Sequence, residues 1–175
     1  NKIIEEIKPN VILIVLEGFG EMPVLNNNKQ FNVLGELKEH FDQDTVFYNF
    51  LPAGFITIHG IESIILNIPQ RPFVDQITQS PYSFKLFQSS AVIPYKKAGY
   101  DTIALYGGSM TWRDLESFFK YQGFDEIIGE GNVTVKAKDR HAWGINDDQF
   151  FKLLKRYLFY GNNSKQKFIY AMSTG

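Results

Sequence analysis

The sequence predicts an α/β fold built on a mostly parallel central sheet with helices on both faces. Three observations carry this: an apolar run at 11–16 (VILIVL), two further strand-like runs at 102–106 (TIALY) and 168–172, and amphipathic stretches of helical period between them. Alternation of strands with helices of this length is the pattern of a parallel sheet joined by crossovers.

The first strand is expected at 11–16, where six apolar residues closed by Glu17-Gly18 read as a central strand covered on both faces. Phe31, Leu34, Leu37 and Phe41 fall near helical spacing, and 45–51 (TVFYNFL) returns as a β-rich run, completing a first βαβ unit. After Pro52-Ala53-Gly54, Ile58, Ile61, Ile64, Ile65 and Ile68 recur at helical spacing before Pro69, which puts Thr57 at a helix N-terminus. The pattern is weaker over 83–98, where Pro94 interrupts it. A buried strand follows at 102–106 and runs into Gly107-Gly108.

Thr111-Trp112-Arg113-Asp114 matches a loose capping box, and Trp112, Leu115, Phe118 and Phe119 form the stripe of a helix over 112–122 that stops at Gly123. A short strand or turn is expected at 124–129. A loop follows over 130–143, with an extended piece at 133–135. Asn146 can cap a helix carrying Phe150, Leu153, Leu154, Tyr157 and Leu158, which Gly161-Asn162-Asn163 breaks before the last strand. No internal repeat, low-complexity tract or linker is visible.

Composition narrows the function classes. The 175 residues are 44% hydrophobic and 21% charged, an ordinary globular balance sufficient for one sizeable core. Basic and acidic residues, 18 and 19 of them, are mixed along the chain, so no block is present to neutralise a row of phosphates, and nucleic acid is not an expected partner. No apolar run approaches the roughly 20 residues of a membrane helix. The absence of cysteine rules out disulfides, cysteine-ligated zinc and thiol catalysis. The Asn1 start and the stop at Thr174-Gly175, just where a crossover should begin, lead us to expect a fragment.

In a parallel sheet the ligand crevice lies beyond the carboxyl ends of the strands. Three places qualify: Glu17, Thr57 and the turn from Tyr106 to Arg113. A carboxylate directly after a buried strand needs a compensating cation or donors, so Glu17 is either a metal ligand or a residue that turns to solvent or caps the next turn. Thr57 opens a helix, where free N–H groups attract an anion that its hydroxyl could attack; a plain N-cap is the other reading. Ser63 is a turn and a half further on. His40, His59 and His141 have no i, i+4 pairing of the helical zinc kind. The sequon matches at Asn132 and Asn162 are short enough to arise by chance.

The segments Lys8-Pro9-Asn10-Val11-Ile12-Leu13-Ile14-Val15-Leu16-Glu17 and Gly54-Phe55-Ile56-Thr57-Ile58-His59-Gly60-Ile61-Glu62 together resemble the opening of the sulfatase-like branch of the alkaline phosphatase superfamily. The greatest similarity is to the lipoteichoic acid synthase and phosphoglycerol transferase group. Tyr106-Gly107-Gly108, Trp112-Arg113, Gly123-Phe124-Asp125 and Trp143-Gly144-Ile145-Asn146-Asp147-Asp148 extend it over nearly the whole chain, in order.

The resemblance implies that 1–175 is the N-terminal part of a single sulfatase-like catalytic domain, alkaline-phosphatase-like in fold and truncated at its C-terminal end. It implies Glu17 as a metal ligand, Thr57 as nucleophile and ligand, and Tyr106, Trp112 and Arg113 as substrate-binding residues, although a salt-bridging Arg113 and a core Trp112 are equally ordinary. It further implies one or two divalent cations (Mn, Mg or Zn) and an anionic phospholipid or another phosphate or sulfate ester as substrate. The remaining metal ligands would lie beyond Gly175. Membrane attachment would come through segments outside this chain, placing the domain on the periplasmic or extracellular face of the cytoplasmic membrane.

The implied reaction is phosphoryl-group transfer from a phosphoglycerol-type lipid headgroup. Phosphoethanolamine transfer, phosphodiester hydrolysis, sulfatase activity and a catalytically dead binding domain remain as alternatives. The Thr57 segment holds no Cys/Ser-x-Pro-x-Arg element, which makes sulfate-ester hydrolysis the weaker of these. A flavodoxin-like nucleotide fold is disfavoured by Glu17-Gly18-Phe19-Gly20-Glu21, where a Gly-rich phosphate loop would have to be.

Overall fold

A computed structural model describes residues 8–28, 30–70, 74–159 and 165–175. Along the chain run the strand β1 (Val11–Val15), the short helices α1 (Met22–Leu25) and α2 (Leu37–Gln43), then α3 (Thr57–Leu66), α4 (Val92–Lys97) and β2 (Asp101–Tyr106). After these come α5 (Leu115–Gln122), β3 (Glu126–Ile128), the two-residue strands β4 (Arg140–His141) and β5 (Gly144–Ile145), α6 (Asp147–Phe159) and β6 (Lys167–Met172).

The four longer strands make one fully parallel sheet in the order β1-β6-β2-β3, as the α/β pattern requires. Alternation along the central strands separates two cores. Ala104, Tyr106, Phe168, Tyr170 and Met172 meet Ile58, Ile61, Ile65 and Leu66 of α3, Val92 of α4, and Leu115, Phe118 and Phe119 of α5. On the opposite face Ile103, Leu105, Ile169 and Ala171 pack against Phe150, Leu153 and Leu154 of α6. Helices therefore cover both faces.

Local chemistry accounts for the helix limits. α3 stops where Asn67 takes the left-handed conformation, just before Pro69, and α5 stops at Gly123 with φ 107°. Pro94 does not interrupt a helix; it sits in the first turn of α4, where its missing N–H is not needed. The backbone carbonyl of Asn146 opens α6 by accepting from Gln149 and Phe150, while its side chain donates to the Lys138 carbonyl. The expected break at 161–163 and the sequon at Asn162 lie outside the described residues.

Four further expectations need correction. β1 is not a central strand in this sheet: among the described residues it pairs only with β6, and Ile12, Leu13 and Ile14 are 39%, 38% and 45% exposed. An apolar run reports the environment that suits it and cannot name the neighbour that supplies it. The run 45–51 is not a strand, because Asn49 takes positive φ in a turn, and Phe47, Phe50 and Leu51 are 79%, 82% and 83% exposed with no partner strand. Phe31 lies outside the helix expected over 31–41, so the first βαβ unit does not form. Finally, the helix over 112–122 is broken: Trp112–Asp114 is a separate 3₁₀ turn, with Arg113 and Asp114 at φ 51° and 57°. Thr111 makes no cap there; its hydroxyl bonds that of Ser109.

By contacts the chain divides into two compact units. Ala53–Gly175, together with the strand leading to Glu17, forms the first, and Gly18–Pro52 forms the second. The second is held by local bonds, with Asn27 and Asn28 side chains accepting from the backbone of Leu34 and of Gln30 and Phe31, and it buries only Leu34. The cavity described next belongs wholly to the first.

Candidate active site

The carboxyl ends of β1, β6 and β2 are tied side by side. Ser173 N–H donates to the Val15 carbonyl at 3.0 Å, Gly107 N–H to the Met172 carbonyl at 2.9 Å, and Glu17 N–H to the Ser173 hydroxyl at 3.2 Å. Glu17 is thus fixed two residues past its strand.

Thr57 is brought to it by the start of α3. Gly54 makes this approach possible, since a β-carbon there would sit 2.4 Å from His59 Cβ and 2.8 Å from its carbonyl carbon. The helix N-cap is Ile56, in extended conformation and without a side-chain acceptor, so Thr57 is the first helical residue and is not the cap. Its hydroxyl instead donates to Glu17 Oε1 at 2.9 Å. The N–H groups of the first turn have no partner within the helix and form a positive end open to an anion.

Tyr106 ends β2 and leads into Gly107-Gly108. This turn is pressed between neighbours: Ile145 N–H donates to the Gly107 carbonyl and Glu130 N–H to the Gly108 carbonyl, each at 2.9 Å. A β-carbon at Gly108 would come 2.9 Å from the Trp143 carbonyl oxygen. Burial, followed by the charges of Glu17 and Glu130, pushes the Tyr106 phenol up to about 12. At neutral pH it is a protonated donor and cannot serve as a base.

Arg113 is held in the left-handed backbone region. Its guanidinium lies over the Trp112 ring, 5.3 Å from the centroid, and Nη1 donates to the side-chain oxygens of Gln76 and, at 2.8 Å, Gln79. Its buried Nε has no hydrogen-bond partner. Strained backbone and an unsatisfied donor persist only where the surroundings over-determine them.

Glu17, Thr57, Tyr106, Trp112 and Arg113, each singled out from the sequence, line one cavity of about 650 Å³ together with Ser109, Glu130, Ala142, Trp143 and Thr174. The last five were not picked as site residues. Thr174 could have been found, because it lies just past a strand end. Trp143 and Glu130 arrive on the loop between β3 and α6, whose sequence has no period. A small relay joins two of these segments: Trp143 N–H donates to His141 Nδ1 at 3.3 Å, and His141 Nε2 lies 3.1 Å from the Thr174 hydroxyl, which donates to the Ile145 carbonyl.

The electrostatics leave one carboxylate uncompensated. Glu130 is paired with Arg140 at 2.8 Å, whereas Glu17 has no cationic partner among the described residues and only the Thr57 hydroxyl on its Oε1. An anion entering the cavity would meet that charge unless a cation lay between them. Carboxylate and hydroxyl oxygens form a hard donor set that fits Mg²⁺ or Mn²⁺. Among the described residues no group of three or more His, Cys, Asp or Glu could hold a metal ion, so Glu17 and Thr57 would be part of a ligand set.

The sulfatase family model matches residues 9–175. Among solved structures, a protein of the alkaline phosphatase superfamily from Vibrio parahaemolyticus is similar at TM-score 0.78 and 23% identity over 95% of this chain and 40% of that one. The lipoteichoic acid synthase LtaP from Listeria monocytogenes is similar at TM-score 0.72 and 18% identity, again over 95% of this chain and 40% of that one. At these identities the likeness is one of fold. The chain spans 40% of the length of either structure.

Proposed function

The chain belongs to the sulfatase family, and on that premise we propose that it is the N-terminal part of a metal-dependent phosphoryl-group transferase acting on a phosphoglycerol-type lipid headgroup through Thr57. One observation carries this reading: a hydroxyl at an uncapped helix start, hydrogen-bonded at 2.9 Å to a carboxylate that has no cationic partner among the described residues. The name of the similar Listeria protein, a lipoteichoic acid synthase, supports the choice of headgroup.

The residues divide the work as follows. Glu17 accepts the Thr57 hydroxyl proton in a hydrogen bond and so orients an Oγ1 lone pair toward the incoming phosphorus. N–H groups of the first turn of α3 stabilise the negative phosphoryl oxygens, and Arg113 supplies the matching cation. Tyr106 donates from its protonated phenol, and Trp112 and Trp143 wall the cavity. The Thr57 oxygen–phosphorus bond forms as the bond to the lipid alcohol breaks, and that alcohol leaves with a proton. An acceptor alcohol or water then displaces Thr57, which recovers its proton. One or two divalent cations, bound in part by Glu17 and Thr57, would lower the hydroxyl pKa and offset charge on the transferring group.

The substrate and the catalytic domain lie, in this proposal, on the outer face of the cytoplasmic membrane. No described helix is long and apolar enough to cross a membrane, so the anchor would be supplied from outside the chain.

The test uses the full-length protein with phosphatidylglycerol vesicles, phosphatidylethanolamine vesicles and a generic phosphodiester. Thr57→Ala should lower turnover by about 10³-fold or more while a divalent ion is still bound. Preference for phosphatidylethanolamine would move the reading to phosphoethanolamine transfer. Wild-type protein that binds no metal and turns over nothing would mark a dead binding domain and sink the proposal.

A further inference from the structure

Glu62 is a charged side chain with 0% exposure in the middle of α3, the helix that also carries the buried Ile58, Ile61, Ile65 and Leu66. Burying a carboxylate among aliphatic side chains is among the costliest choices a core can make, and it is tolerated only when both oxygens are hydrogen-bonded. Both are: Oε1 accepts from Thr78 N–H at 2.8 Å, and Oε2 accepts from Gln70 Nε2 at 2.7 Å. The partners lie on the segment after α3, so the carboxylate binds that segment back onto the helix.

Where the segment is held decides what the bond does. Thr78 is the middle residue of the 3₁₀ turn Ile77–Gln79, and Gln76 is the N-cap of that turn. The side-chain oxygens of Gln76 and Gln79, on either side of Thr78, are the two acceptors of Arg113 Nη1. Two sets of hydrogen bonds, joined by the backbone of the turn, thus link Glu62 to the Arg113 guanidinium. Thr57 begins the helix that carries Glu62, and a helix is rigid over five residues. Hydroxyl and guanidinium, 56 residues apart in sequence, are referenced to one rigid element.

We propose that Glu62 is a positioning residue: through the turn 76–79 it fixes the Arg113 guanidinium relative to the Thr57 hydroxyl, so that an incoming phosphate ester meets both in register. This rests on the functional reading above. The left-handed backbone at Arg113 and its unpartnered Nε fit a side chain held in place against its own preference.

A double-mutant cycle in the full-length protein tests this, with kinetics on bis(4-nitrophenyl) phosphate, inorganic phosphate binding by calorimetry, and the thermal midpoint of each variant. Gln76→Leu combined with Gln79→Leu, which leaves the α3 core untouched, should raise KM and weaken phosphate binding about tenfold, with kcat within about twofold. Glu62→Gln, which keeps one acceptor and lets the Gln70 amide turn over, should move both in the same direction by a smaller factor. In an Arg113→Ala background the same substitutions should change either quantity less than about twofold. Effects that multiply undiminished in that background would reduce Glu62 to a purely structural residue and overturn the proposal. So would folded variants with unchanged KM and phosphate binding. If neither the diester nor phosphatidylglycerol vesicles are turned over, the functional reading fails, and the phosphate-binding cycle still decides the fate of the positioning role.

Discussion

A β-carbon at Gly144 would sit 2.2 Å from the Gly107 carbonyl oxygen, and nothing there can move aside, because the obstacle is backbone. We therefore expect Gly144→Ala to cost about 3 kcal/mol, seen as a fall in the thermal midpoint, and to disturb the Gly107-Gly108 turn between the cavity-lining Tyr106 and Ser109. Gly20→Ala, whose added carbon meets no atom within 4 Å, is the control and should leave the midpoint unchanged. Such contacts mark the limit of what single residues disclose. The places of Glu17 and Thr57 were legible as a strand end and a helix start, while position alone left a solvent-facing carboxylate and a plain N-cap open beside the roles that the resemblance implies. Trp143 and Glu130 were not, since the fold draws them in from a loop without period. The turn at Gly107-Gly108 was legible as well, since glycines there let a neighbouring backbone come close; that the neighbour is Gly144 was not.

At the level of elements, the start of β2 is anchored by a knot of hydrogen bonds that no motif foretold. The Thr102 hydroxyl shares its one proton between Asp125 Oδ2 at 2.8 Å and the Gly123 carbonyl at 3.0 Å, while Lys96 from α4 pairs with Asp125 Oδ1 at 2.6 Å. Partial burial pushes the Asp125 carboxyl up, but the bonds from Lys96 and Thr102 outweigh it and hold the group below the usual carboxylate range. A folded-state pKa below the unfolded one means stabilisation that is present above the unfolded value and drains away as pH falls through the folded one. Thr102→Val should cost about 1 kcal/mol at neutral pH, and the deficit should shrink in acid, as read from urea unfolding at pH 7 and pH 3. Helix α6 and strands β2 and β6 were legible because period and burial agree in them. The break at Arg113 was not, since an apolar stripe from Trp112 to Phe119 is compatible with a helix whether or not two residues turn left-handed within it.

For the molecule as a whole, the exposed flank of β1 sets its solution behaviour. Ile12 and Ile14 project from the face opposite to Val11 and Val15, and no described helix covers them. Apolar edge strands of this kind recruit other chains. The 175-residue chain expressed alone should associate in a concentration-dependent way, measured by light scattering, and Ile14→Lys should suppress it; a monodisperse wild-type monomer would contradict this. The strand order has a consequence in time as well. β1 and β2 share no ladder, and they are joined to each other through β6, whose Lys167 N–H reaches Asn10 Oδ1 across 157 positions. During synthesis β2 can pair with β3 first, but β1 must wait until β6 has left the ribosome and docked between β1 and β2, which gives slow, high-contact-order folding. Glu17 and Tyr106 are among the earliest parts of the cavity to be made, yet the sheet joins their strands only when β6 docks, so the pocket is born in one late step.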